Sequence, residues 1–402
     1  MTKAQLARIG DFCEQDRITV RPGEGAELRY IGLETIESGT GVFLSGEHPK
    51  TPEVPQANSF RFGSQHVLYG KLRPYLNKVA LPDFEGKCST EIIPLRPRAG
   101  LDRRYLYFFL RSGGIVDRIS NRTAGARMPR ADMDFVLDLQ IPLPPLDEQR
   151  RIVDLLSRAE GIIRLRREAK VKAAEIVPAL FLDMFGDPSR NPKNWQMVTV
   201  GDLAQYTRYG PRFPDRRYAM DGAHILRTTD MSFDGELDPE RSPVLPVTRD
   251  EIAKYAVKPG TLLITRTGAT IGKTAIFRGA PRPCIAGAYL IELGVNDRVI
   301  PEYVLRFLLG EFGQKQLSRG SRAVAQPNIN APAICAIPIP LPPYQLQLRF
   351  ASVVEQLRAL ERLRETATAI AEAAFISELS RFFSPDSIPT GVRGSADSIA
   401  AA

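Results

Sequence analysis

Two loops rich in arginine and amide side chains carry the residues of this sequence best suited to recognition chemistry. One runs over residues 122–130 and the other over residues 319–330. Arginine can donate two parallel hydrogen bonds to guanine, and asparagine or glutamine can bond the edge of adenine in the same way. Basic neighbours can instead hold phosphates. The pattern predicts DNA contacts by the following loop residues: Arg122, Arg127, Arg130, Arg319, Arg322, Gln326 and Asn328.

A second pair of segments adds basic, polar and aromatic side chains to this prediction. They contribute Lys71, Arg73, Tyr75 and Lys78 from one segment, and Arg266, Thr267 and Lys273 from the other. For any single residue the alternative is a solvated surface charge, whereas the recurrence favours DNA contact for the class. Residues 268–274 do not form a phosphate loop, because that motif needs four residues between Gly and Gly-Lys and only three stand here.

Catalytic and metal-binding patterns are missing from the sequence. The three histidines, His48, His66 and His224, have no metal-ligand spacing, and there is no nucleophile elbow or methyltransferase motif. The four cysteines are scattered, which predicts a reducing, cytoplasmic environment. No apolar run is long enough to span a bilayer, and the first residues lack a signal-peptide core. We therefore expect a non-catalytic protein with no metal and no cofactor of its own.

The loops recur because the chain contains one domain twice. Residues 141–145 (IPLPP) return as residues 339–343, an offset of 198, and Tyr105 matches Tyr303 at the same offset. This period is too long for a solenoid, whose units run about 20–50 residues. The net charge is +8, and its excess lies on residues 1–145 and 187–343. That distribution favours a polyanionic partner for the two globular copies.

A long helix is predicted after each proline run. Apolar residues at alternating steps of three and four form a heptad seam over residues 152–180 and again over 350–378, typical of helices that pack at a shallow angle. Arg166 and Arg364 occupy the same step of the two seams, where each could receive a partner, fix register or extend its head to water. Roughly 38 residues make a helix of about 57 Å, so the pair could set the distance between two half-sites on DNA.

These features resemble the specificity subunits of Type I restriction–modification systems. The resemblance rests on the duplicated domain, on residues 143–150 (LPPLDEQR) and on the helix closing at residues 180–188 (LFLDMFGDP). It extends over nearly the whole chain, to about residue 384. Copy two departs from the pattern, because residues 341–347 (LPPYQLQ) keep the glutamine and lack the Asp-Glu pair.

The repeat and the resemblance together predict an α+β fold. Two tandem mixed α/β target-recognition domains are each followed by a long helix, and the two helices pair as an antiparallel coiled coil. The expected segments are residues 1–145 for the first domain, 146–186 for its helix, 187–343 for the second domain, 344–384 for its helix and 385–402 for a disordered tail.

The resemblance implies a non-enzymatic subunit whose two domains each read one half of a split, asymmetric DNA site. The helices would set the gap and dock two modification subunits, which bind S-adenosylmethionine and methylate adenine. A restriction subunit that uses ATP with Mg could join them, and no membrane partner is expected. Partner contacts are expected at equivalent positions of the two helices: Gln149, Arg151, Arg166, Gln347, Arg349 and Arg364.

Two other functions stay open on the sequence alone. One is a coiled-coil scaffold whose globular copies bind protein or RNA, which would show little salt-dependent affinity for DNA. The other is a self-contained methyltransferase or nuclease, which the missing motifs disfavour and which binding of labelled S-adenosylmethionine to the isolated chain would test.

Overall fold

The computed structural model describes residues 5–44, 57–124, 127–214, 216–319 and 328–383. The expected tail, residues 385–402, lies outside them. The chain divides into two compact units, one made of Met1–Arg167 with Arg364–Ala402 and the other of Glu168–Leu363. Both long helices cross this division, so each unit contains one globular copy, the start of the helix that follows it and the end of the helix from the other copy.

Unit 1 has a strand-rich first half followed by helices. Its strands are β1 (Gln5–Arg8), β2 (Cys13–Gln15), β3 (Thr19–Val20), β4 (Arg29–Ile31), β5 (Ser59–Phe62), β6 (Val67–Gly70), β7 (Val79–Ala80), β8 (Gly86–Ser89), β9 (Ile92–Pro97), β10 (Thr123–Ala124), β11 (Arg130–Ala131) and β12 (Gln140–Leu143). Its helices are α1 (Ile9–Phe12), α2 (Arg103–Arg111), α3 (Gly113–Ser120), α4 (Met133–Asp138) and the first part of α5 (Leu146–Ala173).

The strands of unit 1 form two four-stranded sheets and two ribbons. The sheet orders are β2-β9-β6-β7 and β3-β5-β8-β4, and the ribbons are β1-β12 and β10-β11. All pairs are antiparallel except β4 with β8. In the β1-β12 ribbon, Leu6 pairs with Pro142 of the proline run, which places the start of α5 beside the N-terminal strand.

Unit 2 repeats much of this plan. Its strands are β13 (Gln196–Thr199), β14 (Ala204–Tyr209), β15 (Ala223–Leu226), β16 (Val244–Leu245), β17 (Leu262–Thr265), β18 (Thr274–Ile276), β19 (Cys284–Ala286), β20 (Leu290–Val295) and β21 (Pro338–Leu341). Its helices are α6 (Ile176–Phe185), α7 (Val200–Leu203), α8 (Arg249–Tyr255), α9 (Pro301–Leu309), α10 (Glu311–Arg319), α11 (Ala331–Cys335) and the first part of α12 (Tyr344–Phe383).

The sheets of unit 2 show that the duplication extends over the whole domain. The order β14-β20-β17-β18 matches β2-β9-β6-β7, and the β13-β21 ribbon matches β1-β12. The third sheet, β16-β15-β19, keeps the parallel pair of β15 with β19 that corresponds to β4 with β8. The prediction of two mixed α/β domains, each followed by a long helix, is confirmed.

Each core is built around an aromatic helix that follows the central sheet. In unit 1 this is α2, which begins where the Asp102 carboxylate accepts hydrogen bonds from the backbone N–H groups of Arg104 and Tyr105. Phe383 near the end of α12 packs against Tyr105 and Phe109, with ring centroids 5.1 and 5.6 Å apart. The far end of α12 therefore completes the unit 1 core.

In unit 2 the corresponding helix is α9. Here α6 completes the core, as the end of α12 does in unit 1. Phe185 packs against Tyr303 and Phe350 with ring centroids 4.8 and 5.2 Å apart, and Phe181 stacks on Tyr303 at 5.5 Å. Phe181 and Phe185 stand at the positions that Leu379 and Phe383 occupy 198 residues later. The ends of the two helices thus play the same role in the two units.

Within unit 1, α5 and α12 run side by side in opposite directions. Arg167 forms an ion pair with Glu372 at 2.7 Å, while Phe383, further along α12, lies near the start of α5. The predicted antiparallel pairing of the two helices is confirmed, but the continuity of the first helix is not. It breaks at residues 174–175, because Pro178 cannot donate a backbone hydrogen bond and its ring clashes with the carbonyl four residues earlier.

The seam predicted for α5 is displaced by one residue at two of its steps, while Ile152 at its start is buried as predicted. Leu155 and Ile162 were expected to face the partner helix, yet they are 48% and 51% exposed, whereas Leu156 and Ile163 are buried. Two consecutive apolar residues occur at each of these steps, Leu155-Leu156 and Ile162-Ile163. The heptad spacing therefore fits either of two adjacent rows of residues along the helix. Among the described residues, no helix is long and apolar enough to cross a membrane.

Candidate nucleic-acid interface

Two loops that are far apart in the sequence meet at one edge of unit 1. The backbone N–H of Arg73 donates to the Pro129 carbonyl at 2.7 Å, and that of Ala131 donates to the Lys71 carbonyl at 2.8 Å. Leu72 forms an antiparallel bridge with Arg130 between these bonds. The two segments predicted to contact DNA are therefore held side by side by main-chain hydrogen bonds.

Unit 2 builds the same junction from the equivalent segments. Thr267 forms an antiparallel bridge with Asn328, and the backbone N–H of Ile329 donates to the Arg266 carbonyl at 2.9 Å. Ile329 is buried and anchors this strand-like stretch, while Asn328 points to solvent. Both copies thus place a loop that leaves a buried strand against the loop that precedes the proline run.

The loop of unit 1 is shaped by two residues in the left-handed region. Arg73 and Asn77 have φ of 52° and 49°, on either side of a 3-10 turn over Pro74–Leu76. Side chains other than glycine seldom adopt this conformation, and here main-chain bonds and an Asn77 side-chain bond to the Arg111 carbonyl at 3.1 Å hold it. The turn leaves Arg73 exposed and Tyr75 55% exposed.

Lys78 and Lys273 were predicted to contact DNA, whereas in the structure each ammonium holds a main-chain carbonyl of its own unit. The Lys78 ammonium donates to the Leu33 carbonyl at 2.6 Å, and the Lys273 ammonium donates to the Thr228 carbonyl at 3.2 Å. Lys273 is also buried and lies over the Phe233 ring at 4.6 Å. Each lysine ties a 3-10 turn to the central sheet, so its recurrence reflects the shared fold.

Arg130 is held inside unit 1 by a carboxylate. Its Nε and Nη2 donate to Glu91 at 3.1 and 2.9 Å, and Nη1 donates to the Met128 carbonyl at 3.3 Å. This pairing with Glu91 raises the pKa of the Arg130 guanidinium. A base or phosphate would have to compete with these bonds, so Arg130 is better placed to shape the loop than to read it.

The other predicted loop arginines remain on the surface. Arg122 is exposed with its guanidinium 4.9 Å from the Phe135 ring centroid, and Arg127 and Arg319 are exposed as well. Lys71 is half-buried beside the junction. Arg322 and Gln326 lie outside the residues that the structure describes.

Arg266 at the unit 2 junction contacts an aromatic ring and an amide oxygen. Its guanidinium lies over the Tyr209 ring, 4.7 Å from the centroid, and Nε donates to Asn328 Oδ1 at 3.5 Å. The Tyr209 hydroxyl accepts a hydrogen bond from the Ala331 backbone N–H at 2.9 Å, which fixes the ring under the guanidinium. Thr267 completes the cluster through its bridge to Asn328.

The structure also corrects the role expected for two glutamines, Gln149 and Gln347, which were predicted to contact a partner subunit. Gln149 is fully buried, where Nε2 donates to the Pro144 carbonyl at 2.8 Å and Oε1 accepts from the Asp102 backbone N–H at 2.8 Å. These bonds fasten the start of α5 to the start of α2. A side chain with both polar atoms engaged below the surface cannot bind a partner.

Gln347 makes the same contacts in unit 2. It is fully buried, Nε2 donates to the Pro342 carbonyl at 2.8 Å, and Oε1 accepts from the Ile300 backbone N–H at 2.9 Å. The glutamine that recurs after each proline run therefore belongs to the junction between sheet and helix.

The predicted helix arginines differ among themselves. Arg151 is exposed and pairs with Glu148 one turn earlier at 3.0 Å, while Arg349 and Arg364 are exposed and Arg166 is half-buried. These positions are compatible with partner contact, and that role remains a prediction.

Exposed apolar residues on the helices are a feature that the sequence prediction missed. Leu155, Ile162 and Leu165 are 48%, 51% and 60% exposed and lie at steps of seven and three on one face of α5. The residues exactly one repeat later on α12 are exposed too: Val353 at 38%, Leu360 at 55% and Leu363 at 68%. We call these two sets the apolar triads. Their recurrence at an offset of 198 residues is the sequence signal that could have revealed them.

Within the described part of the chain, three of the four cysteines and His66 are buried. No group of three His, Cys, Asp or Glu side chains there could hold a metal ion. Burial raises the pKa of the Cys13 and Cys88 thiols to about 12, so both are protonated and unreactive at neutral pH. The imidazole of His66 is buried and bonded to Asp16 at 3.1 Å.

The family of the chain follows from a comparison with protein-family models. The model of the Type I restriction modification DNA specificity domain matches residues 44–173 and again residues 192–370, which together are more than half of the chain. This chain belongs to the Type I restriction modification DNA specificity family. The two matches contain both loop junctions, and they coincide with the duplication.

Curated relatives of this chain are named as specificity subunits of Type I restriction enzymes. The chain is 25% identical to the Type I restriction enzyme MjaVIII specificity subunit of Methanocaldococcus jannaschii over 304 residues, which are 70% of this chain and 69% of that one. It is 30% identical to the putative type I restriction enzyme MjaX specificity subunit of the same organism over 168 residues, 40% of this chain and 39% of that one.

Solved structures of similar proteins share its fold. A chain from work on complex assembly and conformational transition of the type I R-M system aligns with a TM-score of 0.63 at 22% identity, covering 96% of this chain and 99% of that one. The Type-I restriction-modification system S subunit from M. genitalium aligns with a TM-score of 0.52 at 16% identity, covering 94% and 96%. The resemblance seen in the sequence is confirmed.

Proposed function

We propose that this chain is the non-catalytic DNA-recognition subunit of a Type I restriction–modification complex, in which each globular copy reads one half of a split DNA site. The recurring loop junction carries the proposal. In both copies it brings basic or amide side chains to one edge: the exposed Arg73 and Arg127 in unit 1, and the half-buried Arg266 with the exposed Asn328 in unit 2. Such side chains supply both phosphate contacts and base contacts.

The two copies share a frame and differ in the side chains that the frame presents. Residues 71 and 73 are Lys and Arg in copy one, while the matching positions 266 and 268 are Arg and Gly in copy two. Different donors and acceptors at one structural position favour different bases. We therefore propose that the two half-sites have different sequences, so that the complete site is asymmetric.

The helices are proposed to set the distance between the half-sites. The 40 residues of α12 make a helix of about 60 Å at roughly 1.5 Å per residue. Within unit 1, the ion pair between Arg167 of α5 and Glu372 of α12 and the packing of Phe383 against Tyr105 of α2 oppose sliding of α12 along α5.

The apolar triads are proposed to dock two modification subunits. Exposed leucine, isoleucine and valine residues at helical spacing are typical of protein interfaces. Because the same triad occurs on α5 and on α12, two copies of one partner fit better than two different partners. S-adenosylmethionine, and ATP with Mg where restriction occurs, would be bound by the partner subunits, which would also extrude the base to be methylated.

The proposal is tested by mapping methylated adenines in DNA from cells that make this chain with its modification subunit. Cells that make the modification subunit with no specificity subunit are the control. A split motif present only with the chain is the expected result. Equal methylation in both samples, with a modification subunit shown to be active, would contradict the proposal.

A further inference from the structure

We propose that Arg266 reads a guanine in the half-site contacted by residues 187–343, with Tyr209 and Asn328 as the residues that position it. The inference rests on the proposed function, since it presumes that the unit 2 junction faces DNA. It goes further by assigning one side chain and one base.

The orientation of the guanidinium is set from two directions. Tyr209 supports its face at 4.7 Å, and the Asn328 carbonyl oxygen accepts from Nε at 3.5 Å. The support is itself fixed, because the Tyr209 hydroxyl is bonded to the backbone of Ala331. An arginine stacked on a ring and bonded at Nε keeps its Nη1 and Nη2 atoms pointing along one line.

Among the residues that the structure describes, none occupies the terminal edge of this guanidinium. Within the described residues, Nη1 and Nη2 of Arg266 have no hydrogen-bond partner, and no carboxylate is paired with the group. Two parallel N–H donors match two adjacent acceptors, such as O6 and N7 of guanine in the major groove or two oxygens of a phosphate. Rigid placement favours the base, because a phosphate contact tolerates a mobile side chain.

Copy one supplies the contrast. Arg130, which stands where Asn328 stands one repeat later, gives Nε and Nη2 to Glu91 and Nη1 to the Met128 carbonyl. All three guanidinium nitrogens of Arg130 are therefore hydrogen-bonded within the chain, and the Glu91 carboxylate balances its charge. The two matching junctions thus differ: the arginine of the unit 1 junction is engaged by a carboxylate, whereas Arg266, on the other segment of the unit 2 junction, is supported by a ring and an amide oxygen.

The test uses the complex of the full chain with its modification subunit and a library of DNA duplexes that vary each position of the mapped site. Arg266→Lys keeps the positive charge and removes the two parallel donors. Arg266→Ala removes both, and Tyr209→Leu removes the support while leaving the arginine. Arg249→Lys, an exposed arginine at the start of α8 in the same unit, is the matched control.

We expect Arg266→Lys and Arg266→Ala to reduce discrimination at one G·C pair of one half-site by roughly 5- to 150-fold. The other half-site should be unchanged, and Tyr209→Leu should reduce discrimination at the same pair by less. Arg249→Lys should leave every position as in the wild type. Thermal unfolding of each variant would show that the fold is retained.

Two results would overturn the assignment and leave the proposed function standing. One is that Arg266→Lys keeps the base preference of the wild type, while Arg266→Ala weakens binding to all DNA sequences equally. In that case Arg266→Ala should also lower the slope of log affinity against log salt concentration by about 1, as the loss of a phosphate contact requires. The other is unchanged discrimination in both variants. If the wild-type complex itself methylates no split motif, the proposed function fails, and the assignment falls with it.

Discussion

Glu160 and Arg358 occupy the same position of the two long helices, 198 residues apart, and carry opposite charges. Each pairs with the aromatic helix of its own copy. Glu160 accepts from Arg111 at 2.7 Å in unit 1, whereas Arg358 donates to Glu302 at 2.9 Å in unit 2. The ion pair between domain and helix thus occurs at the same position in both copies, but the acidic and basic partners are exchanged. Each domain is therefore matched to its own helix.

This reversal predicts that Arg358→Glu destabilises unit 2. Arg358 and Glu302 are both nearly fully buried, and burial raises the pKa of the Glu302 carboxyl while its arginine partners act against this shift. Removing one partner of a buried pair costs about 3–5 kcal/mol, because the other charge is left without compensation. Urea unfolding of the full chain measures the loss.

Two further variants test the electrostatic reason. The exchange Glu302→Arg with Arg358→Glu should recover part of the lost stability, although Arg278 and Arg306 also contact Glu302 and limit the recovery. Arg150→Ala, which breaks only an exposed pair with Asp147, should change stability by about 0.5 kcal/mol or less. An equal loss in Arg358→Glu and Arg150→Ala would contradict the argument.

Lys273 is predicted to affect stability without affecting recognition. Its ammonium is bonded to the Thr228 carbonyl beneath the surface, so Lys273→Met should cost about 1–3 kcal/mol by leaving that carbonyl unsatisfied. The methylated motif and the salt dependence of DNA binding should match those of the wild type. Altered base preference in this variant would restore Lys273 to the DNA contacts.

The sequence predicted the frame of this protein better than the roles of individual cations. The repeat predicted two mixed domains, each followed by a long helix, and it pointed to the loop segments that contain Lys71 and Arg266. It could not separate Lys78 and Lys273 from true surface residues, because a lysine that holds a carbonyl in both copies recurs just as a DNA contact would. Burial, which decides between the two roles, depends on contacts that are distant in the sequence.

The apolar triads lead to a prediction about stoichiometry. Ile162→Asp and Leu360→Asp each place a charge on one exposed triad, so each should prevent docking of one modification subunit and leave the other bound. The double variant should bind neither. Native mass spectrometry of the assembled complex counts the subunits directly.

Controls for this prediction come from the same helices. Because Ile162 and Leu360 are more than half exposed, the aspartates should change the stability of the isolated chain by about 0.5 kcal/mol or less. Leu182→Asp, at an exposed residue of α6 outside the triads, should leave two subunits bound. Full occupancy in the double variant would exclude the triads as docking sites.

An ion pair at the start of α8 gives unit 2 a stability that depends on pH. Arg216 and the Thr248 backbone hold the pKa of Glu251 at about 2, below its ordinary value of 4.5. A carboxyl whose folded pKa is depressed stabilises the fold above the unfolded pKa, and this contribution is lost as the pH falls from about 4.5 to about 2.

Comparison of the wild type with Glu251→Gln isolates this contribution. The glutamine variant should be less stable than the wild type at neutral pH, and the difference should shrink as the pH is lowered through that window. Unfolding curves at a series of pH values measure it. A difference that is independent of pH would show that the Arg216 contact acts through packing alone.

The length of the helices is predicted to control the spacing of the half-sites. Inserting seven residues after Arg167 in α5 and seven after Arg364 in α12 adds one heptad to each helix, which preserves the packing stripe to within about 20°. At roughly 1.5 Å per residue the insertion lengthens the helices by about 10.5 Å, or about three base pairs at 3.4 Å each. Methylation mapping should then return the same two half-sites with a spacer longer by about three base pairs. Insertion into α5 alone is the control; it lengthens one helix and not the other, so the pairing of the two helices cannot be kept on both sides of the insertion, and methylation should be abolished. If the doubly lengthened chain still selected the original spacer, the distance would have to be fixed by the modification subunits, and the helices would serve only to join the two copies.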